Sequence, residues 1–329
     1  MEREVELQFA KEVLNEAAKR FGIKEESLKK LGSFENYIYE GEKDGISYIL
    51  RLTHSSHRST NNVLGELDWI NYLAHNGVRV AKAFSSLNGK FAEEVFTGSD
   101  YFIASLFEKA EGRLLSRNNP DDFNREIIVE WGKVIGKMHM ATKEYNVPND
   151  KIKRPQWDED DLMDFKRYLP ENDVKVIHNG NELVKYLKGL PKDKDSYGLI
   201  HTDIHSGNFF VHEGKITVFD FDDCSYQWFI SDIAIALYYT VWWKCRDYSD
   251  EDRFGFARSF LDAFMEGYNS ENSLDDFWLG EIGNFLKLRD LTLYTVFHKK
   301  VELIDEGLQR LLKDIRGRIE SGAAIVNIQ

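Results

Sequence analysis

Near residue 107 the chain changes its hydrophobic period, and that change narrows the folds open to it. Before it, short extended runs at 37–40, 47–52, 81–86, 90–96 and 101–106 are punctuated by Asp44-Gly45, Asn88-Gly89 and Gly98-Ser99, the turn pairs of antiparallel hairpins. One helical pattern precedes them and another interrupts them. Leu7, Ala10, Leu14, Ala17 and Phe21 predict one amphipathic helix ending at Gly22, and Val63, Leu67, Ile70 and Leu73 predict another closed by Asn76-Gly77. Beyond residue 107 the pattern turns to long helices: Ile127, Ile128, Trp131, Val134, Ile135 and Met138 mark one, and the stretch after Arg253 holds several more. The expectation is an α+β chain with a small lobe at 1–106, built on an antiparallel sheet, and a larger, mostly helical lobe at 107–329. Only 5 prolines and no repeat or low-complexity tract leave no place for a loose linker.

Composition then removes several classes of function. Apolar residues at 42% and charged residues at 30% suit a chain that buries its own core. The net charge of -13, with no Lys/Arg cluster interleaved with aromatics, argues against a nucleic-acid partner. That charge serves solubility, or attracts a cationic small molecule. Cys224 and Cys245 provide neither a disulfide framework nor a CxxC pair for zinc, which points to a reducing, cytoplasmic setting. The opening MEREVELQFAKEVL carries acidic residues where a signal peptide needs a positive start. The run WFISDIAIALYYTVWW at 228–243 is too short to span a bilayer and contains Asp232, so it reads as a buried helix and no membrane partner is expected. A monomer or a homodimer is expected.

The chemistry concentrates in IHTDIHSGNFFVHEGKITVFDFDD, residues 200–223. His201 and Asp203 sit two apart, Asn208 follows five beyond Asp203, a hairpin turns at Glu213-Gly214, and Asp220 emerges from the strand 215–219. Phosphoryl transfer through a loose transition state asks the protein to position a nucleophile and neutralise phosphate charge with metal. A hard ion such as Mg2+ wants oxygen ligands. Asp203 is the candidate acceptor of the hydroxyl proton, and the hairpin can fold Asn208 and Asp220 back onto one ion. Two other readings stand beside this one. His201, Asp203 and His205 alternate as the ligands of a zinc or iron hydrolase would, or the loop simply caps a helix and turns a corner.

The layout resembles the HxDxxxxN catalytic loop and following metal-binding Asp of the aminoglycoside phosphotransferase and choline kinase superfamily, relatives of the protein kinases. Within it, FDFDD after HTDIHSGNFF looks closest to the homoserine kinase-like and stress-response kinase branch. The resemblance implies a bilobal protein-kinase-like fold and a phosphotransferase that uses ATP and Mg2+. It implies that His201 braces the catalytic loop, that Asp232 holds the loop's backbone, and that Asp203, Asn208 and Asp220 carry base and metal roles. Gly32-Ser33-Phe34-Glu35-Asn36 looks like the nucleotide-covering loop, with Ser33 and Asn36 as contacts. Arg51 in YILRL stands where a kinase keeps its phosphate-binding lysine, with Glu66 as the partner that orients it. An edge-strand surface arginine is the plainer reading of Arg51. FIASLFEKAEGRLL looks like the strand and hinge where backbone groups of Ser105, Leu106 and Phe107 would meet a purine edge, which leaves ATP and GTP undistinguished.

The acceptor is expected to be the hydroxyl of a small molecule: an amino alcohol, a sugar or an aminoglycoside. Ser225 to Asp232 leads straight into the buried helix with no APE-like activation segment, which favours small acceptors over the alternative of a protein Ser/Thr kinase. A weakly active nucleotide-binding scaffold is disfavoured by the intact Asp203, Asn208 and Asp220. Trp157, Asp158, Tyr238, Trp242 and Trp243 are candidate acceptor contacts, as is Asp222, which alternatively meets a second metal or lies in a solvated acidic turn.

Overall fold

The computed structural model describes residues 3–33, 35–159, 161–300 and 305–328. By compactness the chain groups into two units. The first comprises Met1–Gly112, Tyr145–Arg154 and Thr217–Asp222, and the second Arg113–Glu144, Pro155–Ile216 and Asp223–Gln329.

The first unit opens with helices α1 (Arg3–Gln8) and α2 (Lys11–Phe21), not with one continuous helix. Ala10 is extended, with φ -93° and ψ 159°. This break lets the ring of Phe9 stack on Tyr37 at 3.7 Å between centroids and meet Phe102 edge-on at 5.3 Å. Leu7, one of the residues whose spacing predicts a continuous helix, is 82% exposed. Aromatic packing onto the sheet has overridden the local helical period.

Strands β1 (Lys29–Gly32), β2 (Tyr37–Lys43), β3 (Ile46–His54), β4 (Ala83–Phe84), β5 (Glu93–Thr97) and β6 (Asp100–Glu108) form one six-stranded sheet, with helix α3 (Thr60–His75) between β3 and β4. The order is β1-β2-β3-β6-β4, with β5 also pairing β6. The expected hairpin turns hold: Asp44 and Gly45 both take positive φ between β2 and β3. Helix α3 starts on a capping box at Ser59 and Asn62, which answers two N–H groups that a helix start leaves open. Ala17, Ala18 and Phe21 of α2 pack with Leu50, Leu52, Phe102 and Leu106 of the sheet in a hydrophobic core.

In the second unit helices carry the bulk: α4 (Arg125–Thr142), α5 (Phe165–Tyr168), α6 (Val174–Lys188), then, after the strands, α7 (Phe229–Lys244), α8 (Asp250–Asn269), α9 (Asp276–Lys300) and α10 (Glu306–Ser321). The short strands in this part of the chain are β7 (Tyr197–Ile200), β8 (Phe209–His212), β9 (Lys215–Val218) and β10 (Ser225–Trp228), with β7 pairing β10 and β8 pairing β9. Phe165, Val176, Leu291, Tyr294, Leu312 and Ile315 close a core among α5, α6, α9 and α10. Helix α7 is buried along residues 229–238, as a helix apolar on every side must be, but its last turn emerges and leaves Trp242 38% exposed. Where α4 meets α8, a Cβ on Gly132 would come within 1.8 Å of the Phe264 carbonyl oxygen, and one on Gly267 within 1.9 Å of the Val129 oxygen. The two helices touch backbone to backbone, an approach only glycine permits.

Candidate active site

In the second unit a short loop follows β7, and its shape is set by one buried carboxylate. Asp232, in the first turn of α7 and without exposed surface, accepts the Thr202 backbone N–H through Oδ1 at 2.8 Å and the His201 N–H through Oδ2 at 3.1 Å. His139 on α4 meets the same Oδ2 at 3.1 Å through Nε2, while its Nδ1 lies 3.0 Å from the Tyr268 hydroxyl. A charge in an apolar helix is costly unless it is met by donors in this way. Asp232 therefore braces the loop. The brace holds Thr202 at φ 64°, a left-handed conformation that a β-branched residue adopts only under constraint. The Thr202 hydroxyl adds a 2.6 Å bond to the Asp223 carbonyl.

Beyond this strained residue the loop closes on itself. The buried His201 ring accepts the Asp203 N–H at Nδ1 over 3.3 Å, which makes it a support for the loop. Asn208 donates from Nδ2 to the Asp203 carbonyl at 2.9 Å and to Asp203 Oδ2 at 3.0 Å. Its amide nitrogen is thus committed, and the side-chain oxygen Oδ1 is left as the group to offer a cation. The other oxygen of Asp203, Oδ1, accepts from the Arg289 guanidinium of α9, which also donates to the Tyr239 hydroxyl and, through Nη1 at 3.3 Å, to the Thr202 carbonyl. Burial pushes the Asp203 carboxyl upward, but Arg289, then His205 and His201, outweigh it and bring the group down to about 2. The base candidate is ionised throughout the neutral range.

The first unit contains its own charged assembly. Arg51 lies on β3, an interior strand, and is only 3% exposed, so it is no edge-strand surface residue. It forms a bidentate pair with Glu66 of α3, Nη1 to Oε1 at 2.7 Å and Nη2 to Oε2 at 2.6 Å. Burial opposes its charge, yet Glu66, then Asp222 and Asp220, hold the guanidinium above its ordinary range. Asp220, two residues beyond β9, has φ 64°, another non-glycine residue in the left-handed region. Asp222 is 4% exposed and meets His57 Nε2 at 2.7 Å and Arg58 Nε at 3.4 Å, which overturns the solvated-turn reading. Burial would raise its carboxyl; Arg58, His57 and Arg51 instead keep it well below the carboxylate range.

Other expected contacts fall differently. Ser33 is described and half-buried, Phe34 of the same loop lies outside the described residues, and the buried Asn36 accepts from the Thr53 hydroxyl at 2.6 Å, so its side-chain oxygen serves the sheet. Ser105 pairs with Arg51 and Phe107 with Ile49 on β3, while Leu106 and Phe107 also face β4. That two-sided register takes up the backbone groups expected to read a purine. The first residues beyond β6, from Lys109, are the ones the ladder leaves open. Tyr238 is fully buried, with its hydroxyl 2.7 Å from Asp290 on α9, which makes it core and not an acceptor contact. Its neighbour Tyr239 stands at Asp203 instead, seven residues after Asp232 and therefore on the same helix face. Trp157 is buried against Trp228 at 5.5 Å between centroids, and its indole N–H has no hydrogen-bond partner among the described residues.

Residues 27–273 match the model of the phosphotransferase enzyme family. The chain belongs to that family. The amicoumacin kinase of Bacillus subtilis (strain 168) is 40% identical over 317 residues, which cover 95% of this chain and 93% of that protein. A solved amicoumacin kinase in complex with AMP-PNP, Ca2+ and Ami superposes with a TM-score of 0.94 at 36% identity, over 100% of this chain and 98% of its own. A spectinomycin phosphotransferase, at 17% identity over 95% of this chain and 98% of its own and a TM-score of 0.61, shares the protein-kinase-like fold. This phosphotransferase is a kinase that transfers phosphate from ATP, with a divalent metal, to a hydroxyl of a small molecule. The hydrolase reading of His201, Asp203 and His205 and the protein-kinase alternative both give way to it. Among the described residues no helix is long and apolar enough to cross a membrane.

Proposed function

We propose that this phosphotransferase phosphorylates amicoumacin or a close structural relative. The observation that carries the proposal is the 40% identity to an amicoumacin kinase across 95% of the chain, supported by the 0.94 TM-score to an amicoumacin kinase complex. The deciding experiment is transfer from labelled ATP to a panel of amicoumacin, spectinomycin, aminopropanol and choline. Amicoumacin is expected to give the highest kcat/KM by a wide margin. Equal or better transfer to aminopropanol or choline would overturn the assignment.

In this reading Asp203 orients the acceptor hydroxyl and takes its proton at Oδ2, the oxygen that Asn208 also touches, while Arg289 holds Oδ1 and fixes the carboxylate plane. Asn208, through its uncommitted Oδ1, and Asp220 would hold the divalent ion, whose positive charge neutralises the phosphates. Both are hard oxygen donors, which fits magnesium. Arg51, with its fork closed on Glu66, would reach the phosphates through its remaining edge. Ser33 would lie over the nucleotide, the segment after β6 beginning at Lys109 would read the base in place of Ser105 and Phe107, and Trp157 and Trp242 remain acceptor contacts. Cys224 and Cys245, both buried and in no disulfide among the described residues, support a cytoplasmic setting.

A further inference from the structure

Glu35, His57 and Asp222 come together inside the first unit from three separate places in the chain: the connection between β1 and β2, the turn after β3 and the segment after β9. The amino-acid order offers Asp222 as a second-metal contact but gives no sign that Glu35 and His57 join it. His57 Nε2 lies 2.7 Å from Asp222 Oδ2 and 3.6 Å from Glu35 Oε2, and one ligand atom from each residue lies within 4.8 Å of the other two. Metal–ligand bonds of about 2.0–2.2 Å at tetrahedral or octahedral angles place neighbouring ligand atoms roughly 3.0–3.5 Å apart, so an ion would replace the His57–Asp222 hydrogen bond after shifts of only a few tenths of an ångström.

A second, independent observation concerns Asp222 alone. The residue is 4% exposed, and while Oδ2 faces His57 and Arg58, Oδ1 is buried with no hydrogen-bond partner among the described residues. A buried carboxylate oxygen without a donor is a rare arrangement, and a cation is one of the few groups that resolves it. We propose that Glu35, His57 and Asp222 form a divalent-cation site separate from the one that serves ATP, and that it takes a borderline ion such as Zn2+.

The donor set selects the ion. One imidazole nitrogen with two carboxylates suits zinc or a similar first-row metal, whereas magnesium prefers oxygen alone. Arg58, at 3.4 Å from Asp222, and Arg51 offset part of the carboxylate charge, so the site binds less tightly than a closed structural zinc centre. Occupancy would pin the β1–β2 connection to the end of the β9 segment. The proposal does not depend on the identity of the acceptor.

The test titrates chelator-stripped, full-length protein with Zn2+ against a chromophoric chelator, in excess Mg2+ and without nucleotide. The wild type is expected to take up one Zn2+ equivalent that His57→Gln and Glu35→Gln each weaken by about 10- to 100-fold, the scale seen when a metal's surroundings are disturbed. Glutamine at 57 retains a hydrogen bond to Asp222, and melting curves verify that both variants fold. Asn208→Ala is expected to keep the Zn2+ equivalent, which separates this site from the proposed magnesium site. Equal uptake by wild type and His57→Gln, no uptake by the wild type, or loss in Asn208→Ala alone would each overturn the proposal.

Discussion

Asp203 has one oxygen tied to Arg289 and the other to Asn208, and these two contacts were unequally visible in the chain. Asn208 lies five residues on, so the loop that joins them sets their meeting locally and the spacing reveals it. Arg289 is 86 residues away on a different helix, where no periodicity marks it. Replacing Asp203 by Asn removes the proton acceptor while keeping the shape, and turnover is expected to fall by about 10²- to 10⁴-fold in steady-state kinetics. Near-normal turnover would mean that another group takes the proton. The same carboxylate makes stability depend on pH. Its folded value of about 2 lies below the ordinary 3.8. A depressed carboxyl contributes stability that is complete above the unfolded value and is lost as pH falls through the folded one. The contribution is about 2 kcal/mol at neutral pH, disappearing between roughly pH 4 and pH 2. Arg289→Gln is expected to shrink that loss, as measured by melting temperature across the same window. An unchanged profile in the variant would show that Arg289 does not set the carboxyl's titration.

At the level of elements, strand and helix periods gave the sheet, α3, α4 and α7, because those segments bury one consistent face or are buried all round. They failed at Ala10, where Phe9 turns onto Tyr37 and Phe102, and at the purine-reading backbone, which β4 covers in a two-residue pairing too short to leave a sequence signal. Tyr239 was legible in principle, since it shares a helical face with Asp232, but the helix is apolar on all sides and gives no moment from which to choose between Tyr238 and Tyr239. Contact between α4 and α8 is the element-scale feature most sensitive to substitution. Gly267→Ala would drive a methyl group into the Val129 carbonyl, and either the helices separate or the backbone shifts. A loss of at least about 1–3 kcal/mol follows from overpacking of that kind. Because His139 reaches Asp232 from α4 and Tyr268 reaches His139 from α8, the same displacement loosens the brace of the catalytic loop. The variant is therefore expected to lose both melting temperature and kcat, whereas Gly255→Ala on the same helix, with open space around its Cβ position, should lose neither. Equal effects at the two positions would remove close helix approach as the cause.

For the molecule as a whole, the family was legible because HxDxxxxN and the later Asp220 are short, ordered motifs, while the acceptor depends on tertiary surfaces contributed by distant segments. The two proposed magnesium ligands, Asn208 and Asp220, stand 12 residues apart in the chain, on either side of the β8–β9 hairpin. If one ion takes oxygen from both, removing either ligand removes the ion. Ligand that binds only the folded state adds about 2.7 kcal/mol at a hundredfold excess over Kd. Mg2+ with a non-hydrolysable ATP analogue is accordingly expected to raise the melting temperature of the wild-type chain, and chelation of the metal to cancel most of the rise and all turnover. Asn208→Ala and Asp220→Ala should each abolish the magnesium-dependent part while leaving the melting temperature of the free protein near its original value. The double variant should lose no more than either single one, because removing one ligand already removes the shared ion. Additive losses would point to two independent metal positions and would separate the roles assigned to Asn208 and Asp220.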